Sequence, residues 1–321
     1  MVLDTNAAGV YAIAPTPFNS DGSIDWRSVD RMTDFYFEAG CNGFTVLGVL
    51  GEAPKLDAAE ALALAERVIK RADGKPIIVG VSAPGYAAMR ALAKSVMDRG
   101  AGAVMIAPPA TVRTDDQIAT YFRNAVEAIG TDIPWILQDY PLATHVVMST
   151  NVIRRIVTEN PSLVAIKHED WPGLEKISTL LGFMKERSMR TISILVGNNG
   201  LFLDFELERG VNGANTGYPF PEMLVETVRL SKSNNRDAAH DLFDAHLPLL
   251  RYEQQPGVGL AVRKYILTLR GILSSDVQRN PSMRLSEAGY SEVNFLLARV
   301  ARHDPRANLQ PALGSGRASR Q

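Results

Sequence analysis

Short apolar runs alternate with longer amphipathic segments along most of the chain. Eight runs are nearly continuous in apolar residues instead of alternating with polar ones, which is typical of parallel strands covered on both faces. The predicted strands occupy residues 9–18, 43–49, 76–83, 103–109, 135–141, 163–169, 192–198 and 213–218.

The segments between these runs predict helices over residues 25–39, 57–72, 86–99, 114–129, 149–160, 171–187, 200–209 and 221–231. Asp57 and Ser149 stand where N-caps are expected, and Thr114 with Gln117 resembles a capping box. Eight successive strand–helix units predict an α/β fold of the (β/α)8 TIM-barrel type over residues 1–232.

A doubly wound open sheet is the alternative fold. Such a sheet normally carries a glycine-rich phosphate-binding turn after its first strand. Here the first run ends in Pro15-Thr16-Pro17-Phe18, which argues against a dinucleotide site.

The chain continues beyond the eighth unit. Residues 233–303 predict a C-terminal appendage of three helices, near 235–251, 256–273 and 286–302. Residues 304–321 are rich in Gly, Ser, Arg and Pro, and we expect a disordered tail there.

Composition narrows the classes of function. Lys and Arg total 34 against 35 Asp and Glu, without a long basic run, so no nucleic-acid partner is expected. No apolar run is long enough to span a bilayer and no signal sequence is recognisable, so we expect a cytoplasmic protein without a membrane partner. The single cysteine, Cys41, fits a reducing compartment and is expected to be buried. The spacing of His, Cys, Asp and Glu predicts no metal site.

Active residues of such barrels lie at the carboxyl ends of the strands. Lys167 follows four apolar residues of the sixth run, and lysine is rarely buried without a reason. A desolvated lysine loses its proton more readily and becomes a nucleophile that condenses with a ketone. The alternative is a structural lysine, paired with Glu169 or solvated at the rim. The position of Lys167 alone favours neither interpretation over the other.

A second candidate is the turn GVLGE after the second run. Glycines at 48 and 51 permit a sharp turn whose successive N–H groups can bind a carboxylate. A plain connecting turn is the alternative. Glu52 is expected to anchor the loop by hydrogen bonds.

The GVLGE turn, the strand-five end with Pro141 and the sequence IKHE around the lysine resemble the dihydrodipicolinate synthase and N-acetylneuraminate lyase superfamily of class I aldolases and dehydratases. This resemblance implies that Lys167 is the Schiff-base lysine. It also implies that the loop of Gly48, Val49, Leu50 and Gly51 binds the carboxylate of a 2-oxo acid. No cofactor and a homo-oligomer, dimer or tetramer, are expected.

Several positions depart from the synthase pattern. Val49 and Leu50 replace the two threonines of the loop, and Gln138 replaces the strand-five tyrosine. The tyrosine after strand four and the arginine after Pro141 are missing. Synthase activity is therefore not expected, and the QDYP and KHE patterns are nearer to the branch with 2-keto-3-deoxy sugar acid dehydratases.

Proton transfer then requires other groups. Tyr140 and Glu169 are the candidates, as acid and base, although Tyr140 could merely pack and Glu169 merely pair with the lysine. Gln138, Asn215 and Thr216 are candidates for substrate binding, and the last two could instead only end their strand.

Three functions follow from these residues. The leading one is a lyase that dehydrates a 2-keto-3-deoxy sugar acid through an imine. A pyruvate-releasing class I aldolase shares that imine and differs in the bond that breaks. The third is a non-catalytic barrel that binds a 2-oxo acid.

Overall fold

Eight parallel strands form the centre of a computed structural model that describes residues 1–309. They are Gly9–Ile13 (β1), Gly43–Val46 (β2), Ile77–Gly80 (β3), Ala103–Ile106 (β4), Trp135–Asp139 (β5), Leu163–His168 (β6), Ser193–Val196 (β7) and Gly213–Thr216 (β8). Each strand pairs with the next along the chain, and β8 pairs with β1, so the sheet closes. The predicted (β/α)8 barrel is confirmed, and the open sheet was the wrong alternative.

Twelve α-helices surround the strands or extend beyond them within residues 1–309. They are Trp26–Glu38 (α1), Ala58–Arg71 (α2), Tyr86–Asp98 (α3), Asp115–Ile129 (α4), Pro141–Thr144 (α5), Thr150–Glu159 (α6), Gly173–Lys185 (α7), Leu203–Arg209 (α8), Pro221–Lys232 (α9), Arg236–Glu253 (α10), Gly259–Leu269 (α11) and Glu287–Val300 (α12). The N-caps at Asp57 and Ser149 and the capping box at Thr114 form as predicted, and Asp57 also forms a capping box with Glu60, which was not predicted.

Proline and left-handed residues explain where the bounds differ from the predicted ones. β1 ends at Ile13, before Pro15 and Pro17, which have no N–H for a sheet hydrogen bond. Helix α8 begins at Leu203 instead of residue 200, because a 3-10 turn over Asn198–Gly200 with a left-handed Asn199 (φ 58°) precedes it. The short α5 was not predicted.

The apolar core has two parts. One lies between the strands and the surrounding helices, and the other fills the barrel interior with side chains such as Tyr11, Met105 and Ile136. Because side chains alternate along a strand, the residue two positions after an interior residue also faces inward. Gln138 follows Ile136 by two positions in β5 and therefore lies one layer above it.

The C-terminal helices pack on the barrel through α10, which lies against α9 and α8. The predicted boundary at residue 232 coincides with the end of α9, and α10 begins at Arg236. Inside this region the buried His246 contacts the Tyr218 hydroxyl (3.0 Å) and the Asp304 carboxylate (3.2 Å). None of the helices within residues 1–309 is long and apolar enough to cross a membrane.

The segment expected to be a tail begins inside the described part of the chain. Residues 305–307 form a 3-10 turn, and the side chain of Asp304 accepts a hydrogen bond from the N–H of Arg306 (3.0 Å). Asp304 itself is 2% exposed. The remainder of that segment, residues 310–321, lies outside the described residues.

Replacing Asp304 with Asn should lower the free energy of unfolding by about 1–3 kcal/mol, because His246 and Arg306 lose a charged acceptor. Burial opposes ionisation of Asp304, but hydrogen bonds from His246 and Arg306 lower its pKa overall. Its stabilising effect is therefore complete above the ordinary carboxyl value of 3.8 and declines as the pH falls below it.

Thermal unfolding at pH 7 measures this effect. The control is Glu292→Gln, which removes an exposed partner of Tyr252 and should change the stability by about 0.5 kcal/mol at most. Equal melting temperatures of Asp304→Asn and the parent chain would contradict the expectation.

Candidate active site

A cavity of about 740 Å³ opens at the carboxyl ends of the strands. Most of the predicted site residues line it: Gly48, Val49, Leu50, Gln138, Tyr140, Lys167, Glu169 and Thr216. Gly51 and Asn215 do not. The structure thus brings residues from four of the predicted strand ends or loops to one cavity.

Lys167 lies in the cavity floor. It faces inward from β6 two positions after the interior residue Ala165, and it is 4% exposed. Its Nζ is 3.1 Å from Oε2 of Glu169. The amine is therefore buried and ion-paired, and it borders the cavity instead of being solvated at the rim.

Glu169 connects three neighbouring strand ends. Its Oε2 accepts a hydrogen bond from Nε2 of Gln138 at the end of β5 (2.8 Å), and its Oε1 accepts one from the backbone N–H of Asn198 after β7 (3.4 Å). A side chain at Gly197 would place its Cβ 2.2–2.5 Å from the Glu169 side chain. Glycine at 197 therefore makes the room in which this carboxylate lies.

Tyr140 follows β5 directly and lines the same cavity. Burial, and to a smaller extent the negative charge of Glu169, raise the pKa of its phenol to about 12, although Arg263 acts in the opposite direction. The phenol is consequently protonated at neutral pH and can donate a proton or a hydrogen bond.

The GVLGE loop turns sharply, with a hydrogen bond from the N–H of Gly51 to the carbonyl of Gly48 (3.0 Å). Its left-handed residues are Leu47 (φ 57°) and Glu52 (φ 53°), so neither glycine contributes a positive φ. The glycines instead permit close packing: a Cβ on Gly51 would lie 3.2 Å from the backbone nitrogens of Leu47 and Gly48. A Cβ on Gly80 would lie 2.2 Å from the Leu47 carbonyl oxygen.

This loop presents backbone donors to the cavity. Within residues 1–309 the N–H groups of Val49 and Leu50 make no hydrogen bond, whereas those of Gly51 and Glu52 donate to carbonyls inside the loop. Free N–H groups on a tight turn bind anions well. The replacement of threonine by Val49 and Leu50 leaves these donors in place.

Glu52 anchors the loop to the C-terminal helices. Its buried carboxylate accepts hydrogen bonds from Lys264 (2.5 Å), Lys55 (2.8 Å) and the backbone N–H of Arg279 (3.1 Å). Burial lowers the pKa of Lys264 to about 8, although Glu52 opposes the change. These hydrogen bonds hold the loop in place, as expected for Glu52.

The two residues predicted at the end of β8 separate in the structure. Thr216 lines the cavity, but the side chain of Asn215 faces the barrel interior and hydrogen-bonds to the hydroxyl of Thr45 (3.2 Å). Asn215 is fully buried by the layer above it. A direct contact between Asn215 and a ligand in the cavity does not fit this arrangement.

Other residues of the cavity wall were missed. Asn198 and Asn199 follow β7, and Glu253 ends α10; all three line the cavity. The strand-end rule applied to the seventh run, which ends in Gly197-Asn198, would have found the asparagines. The strand-end rule cannot find Glu253, because the C-terminal helix that carries it lies outside the barrel repeats.

Curated relatives and solved structures resemble the whole chain. The L-2-keto-3-deoxyarabonate dehydratase of Azospirillum brasilense is 26% identical over 302 residues, which is 92% of this chain and 94% of that protein. A 4-hydroxy-tetrahydrodipicolinate synthase of Chlorobium chlorochromatii is 27% identical over 84% of this chain and 90% of its own length. The crystal structure of a dihydrodipicolinate synthase from Rhodopseudomonas palustris is 64% identical, with a TM-score of 0.92 over 93% of this chain and 99% of that one.

The sequence model of the dihydrodipicolinate synthetase family matches residues 6–300, nearly the full length that folds as the barrel and its helical appendage. The resemblance inferred from the motifs is confirmed by this match. The chain belongs to the dihydrodipicolinate synthetase family of lyases.

Proposed function

We propose that the chain forms a Schiff base between Lys167 and a 2-oxo acid and dehydrates a 2-keto-3-deoxy sugar acid. The observation that carries this proposal is the Lys167 amine, buried in the floor of the cavity with the Glu169 carboxylate 3.1 Å away. An ion pair is a poor source of stability when both charges are buried. A catalytic role explains a buried lysine and glutamate beside a cavity better than a stabilising role does.

The 2-oxo acid would bind with its carboxylate on the N–H groups of Val49 and Leu50. Its carbonyl carbon then faces the Lys167 amine across the cavity floor. Glu169 can take the proton from the ammonium, which makes the amine nucleophilic. Attack on the carbonyl gives a carbinolamine, and Glu169 returns its proton to the departing hydroxyl, so that loss of water gives the iminium and leaves Glu169 ionised.

Dehydration requires a base and an acid on this iminium. Glu169 would remove a proton from C3, and the resulting enamine would expel the hydroxyl from C4 as water after protonation by Tyr140. Hydrolysis of the imine returns Lys167 and releases a 2-oxo acid product. The relative from Azospirillum brasilense, named as a dehydratase of this substrate class, supports this reaction.

Two other functions use the same cavity. A pyruvate-releasing aldolase would break the C3–C4 bond of the same imine, and turnover of a panel of sugar-derived 2-oxo acids separates it from a dehydratase by its products. A non-catalytic binder is favoured by Gln138, which cannot change its protonation state. Imine formation without turnover of any acid in the panel would identify the binder. From the family resemblance we also infer a cytoplasmic homo-oligomer, a dimer or tetramer.

Pyruvate with borohydride should add one reduced adduct to the chain, on the peptide that contains Lys167. Lys264 is the competing amine, because it is also buried and its pKa is lowered to about 8, but it does not line the cavity. Intact mass and peptide mapping measure the result. Lys167→Arg should abolish the adduct. The control Lys176→Arg, in a lysine that pairs with Asp139 (2.7 Å), should retain it.

An adduct on Lys264, or no adduct in the parent chain, would refute the proposed mechanism.

Glu169→Gln and Tyr140→Phe should each retain the trapped imine, formed more slowly in Glu169→Gln because the ammonium must lose its proton to water, and each should lower kcat about 10²-fold or more, because each variant lacks a group that exchanges a proton. Gln138→Ala should mainly raise KM, since Gln138 orients Glu169 and borders the substrate. Steady-state kinetics on the sugar-derived acid that turns over best provide the measurement.

The matched control for these variants is Asp170→Asn. It changes the neighbouring carboxylate, which pairs with Lys176 outside the cavity, and should keep kcat within about threefold. If Glu169→Gln and Tyr140→Phe both retained the parent kcat, proton transfer would have to be assigned to the substrate or to water.

Condensation of pyruvate with aspartate semialdehyde should be negligible. The chain has no arginine in the segment after Pro141 that could bind the second carboxylate, and Leu142 follows instead. A coupled assay with an authentic synthase as the positive control measures the rate. Condensation at a rate comparable to that control would show that the departures from the synthase pattern do not prevent its reaction.

A further inference from the structure

Three polar atoms beside the cavity have no hydrogen-bond partner within residues 1–309. They are Oε2 of Glu253, Nη1 of Arg263 and Oδ1 of Asn198, and all three are buried. Each such atom costs about 1–3 kcal/mol when it is left without a partner. The concentration of three of them in one wall therefore calls for a ligand that satisfies them.

The wall is held together by the guanidinium of Arg263 on α11. Its Nε donates to Oε1 of Glu253 (2.6 Å), and its Nη2 donates to Oδ1 of Asn199 (2.9 Å) and to the carbonyl of Gly217 (2.7 Å). A Cβ on Gly217 would lie 2.0 Å from Nη1. Glycine at 217 thus lets the guanidinium approach the end of β8, and it leaves Nη1 without an acceptor.

This wall is continuous with the proposed catalytic groups. Glu253, Asn198, Asn199 and Gly217 all line the cavity. The backbone N–H of Asn198 donates to Oε1 of Glu169 (3.4 Å), so this wall directly contacts the Lys167–Glu169 pair. A substrate bound to Lys167 would direct the far end of its chain along one side of the cavity.

We propose that Glu253, Arg263 and Asn198 form a subsite that binds the hydroxyl groups on the distal chain of the 2-oxo acid. The inference rests on the proposed function, whose substrate class it specifies. Glu253 and Asn198 line the cavity and contribute acceptors for a hydroxyl group, whereas Arg263 does not line it and positions the Glu253 carboxylate from behind the wall.

The charge of the subsite selects among substrates. Arg263 and Glu253 form an ion pair with no excess positive charge. A second carboxylate on the substrate would therefore find no net electrostatic attraction in the subsite. An alkyl chain would leave the polar atoms without partners, which sites of this kind reject strongly. The subsite therefore favours a neutral hydroxylated chain over an acidic or an aliphatic one.

The test compares imine formation with acids of equal length. The initial rate of adduct formation with cyanoborohydride is measured against concentration for pyruvate, 2-oxopentanoate and a 2-keto-3-deoxypentonate. The parent chain should half-saturate with the hydroxylated acid at a concentration about 10-fold or more below that for 2-oxopentanoate. Glu253→Gln and Asn198→Leu should each reduce this ratio to about threefold or less, while half-saturation with pyruvate changes by less than about twofold.

Glu222→Gln is the matched control, because it removes a partner of Arg270, another arginine at the end of the same helix, outside the cavity. It should keep the ratio of the parent chain. Asn198→Leu leaves the Arg263–Glu253 pair intact, so it tests the subsite by itself if Glu253→Gln does not fold.

An unchanged ratio in the folded variants, or equal half-saturation with both five-carbon acids in the parent chain, would overturn the subsite. Absence of an adduct with pyruvate would instead overturn the proposed Schiff-base function.

Discussion

The barrel closes because the backbones of β8 and β1 approach more closely than any side chain would allow. A Cβ on Gly213 would lie 1.9 Å from the carbonyl oxygen of Gly9, and a Cβ on Gly9 would collide with the side chain of Asn42. Closure brings the carboxyl ends of all eight strands to one ring. Within that ring, the pairing of β5 with β6 makes Gln138 and Lys167 neighbours in register. A shift of one residue in that register would turn the lysine into the helical layer.

Two buried lysine–glutamate pairs illustrate how surroundings decide a role. Lys264 donates to Glu52 and to the carbonyl of Val277, and its ammonium lies 4.6 Å from the ring centre of Phe18, so protein atoms surround it. Lys167 has one comparable partner, Glu169, and faces a cavity. The first pair ties the GVLGE loop to α11, and the second is the pair to which the proposed function assigns proton exchange with a ligand.

The sequence predicts the features that depend on local pattern. Strands covered on both faces are apolar throughout, which makes Lys167 conspicuous and places it at a strand end. The pattern cannot show that Leu47 turns with a positive φ, because that strain is imposed by packing against Gly80. Nor does it pair Arg263 with Gly217, since their contact joins an appended helix to the last strand.

Carboxylate binding and proton transfer use separable parts of the site in the proposed reaction. The conformation of the loop depends on Gly51, Gly80 and the anchor at Glu52, and the donors are backbone N–H groups, so side chains at 49 and 50 can change without loss of the anion site. Proton transfer depends on side chains instead. Gln138, where the family resemblance leads us to expect a tyrosine, donates an amide N–H to Glu169 and orients it, but an amide exchanges no proton near neutral pH. An amide at this position therefore leaves proton exchange at the proposed imine to the carboxylate that it holds and to the protonated phenol of Tyr140.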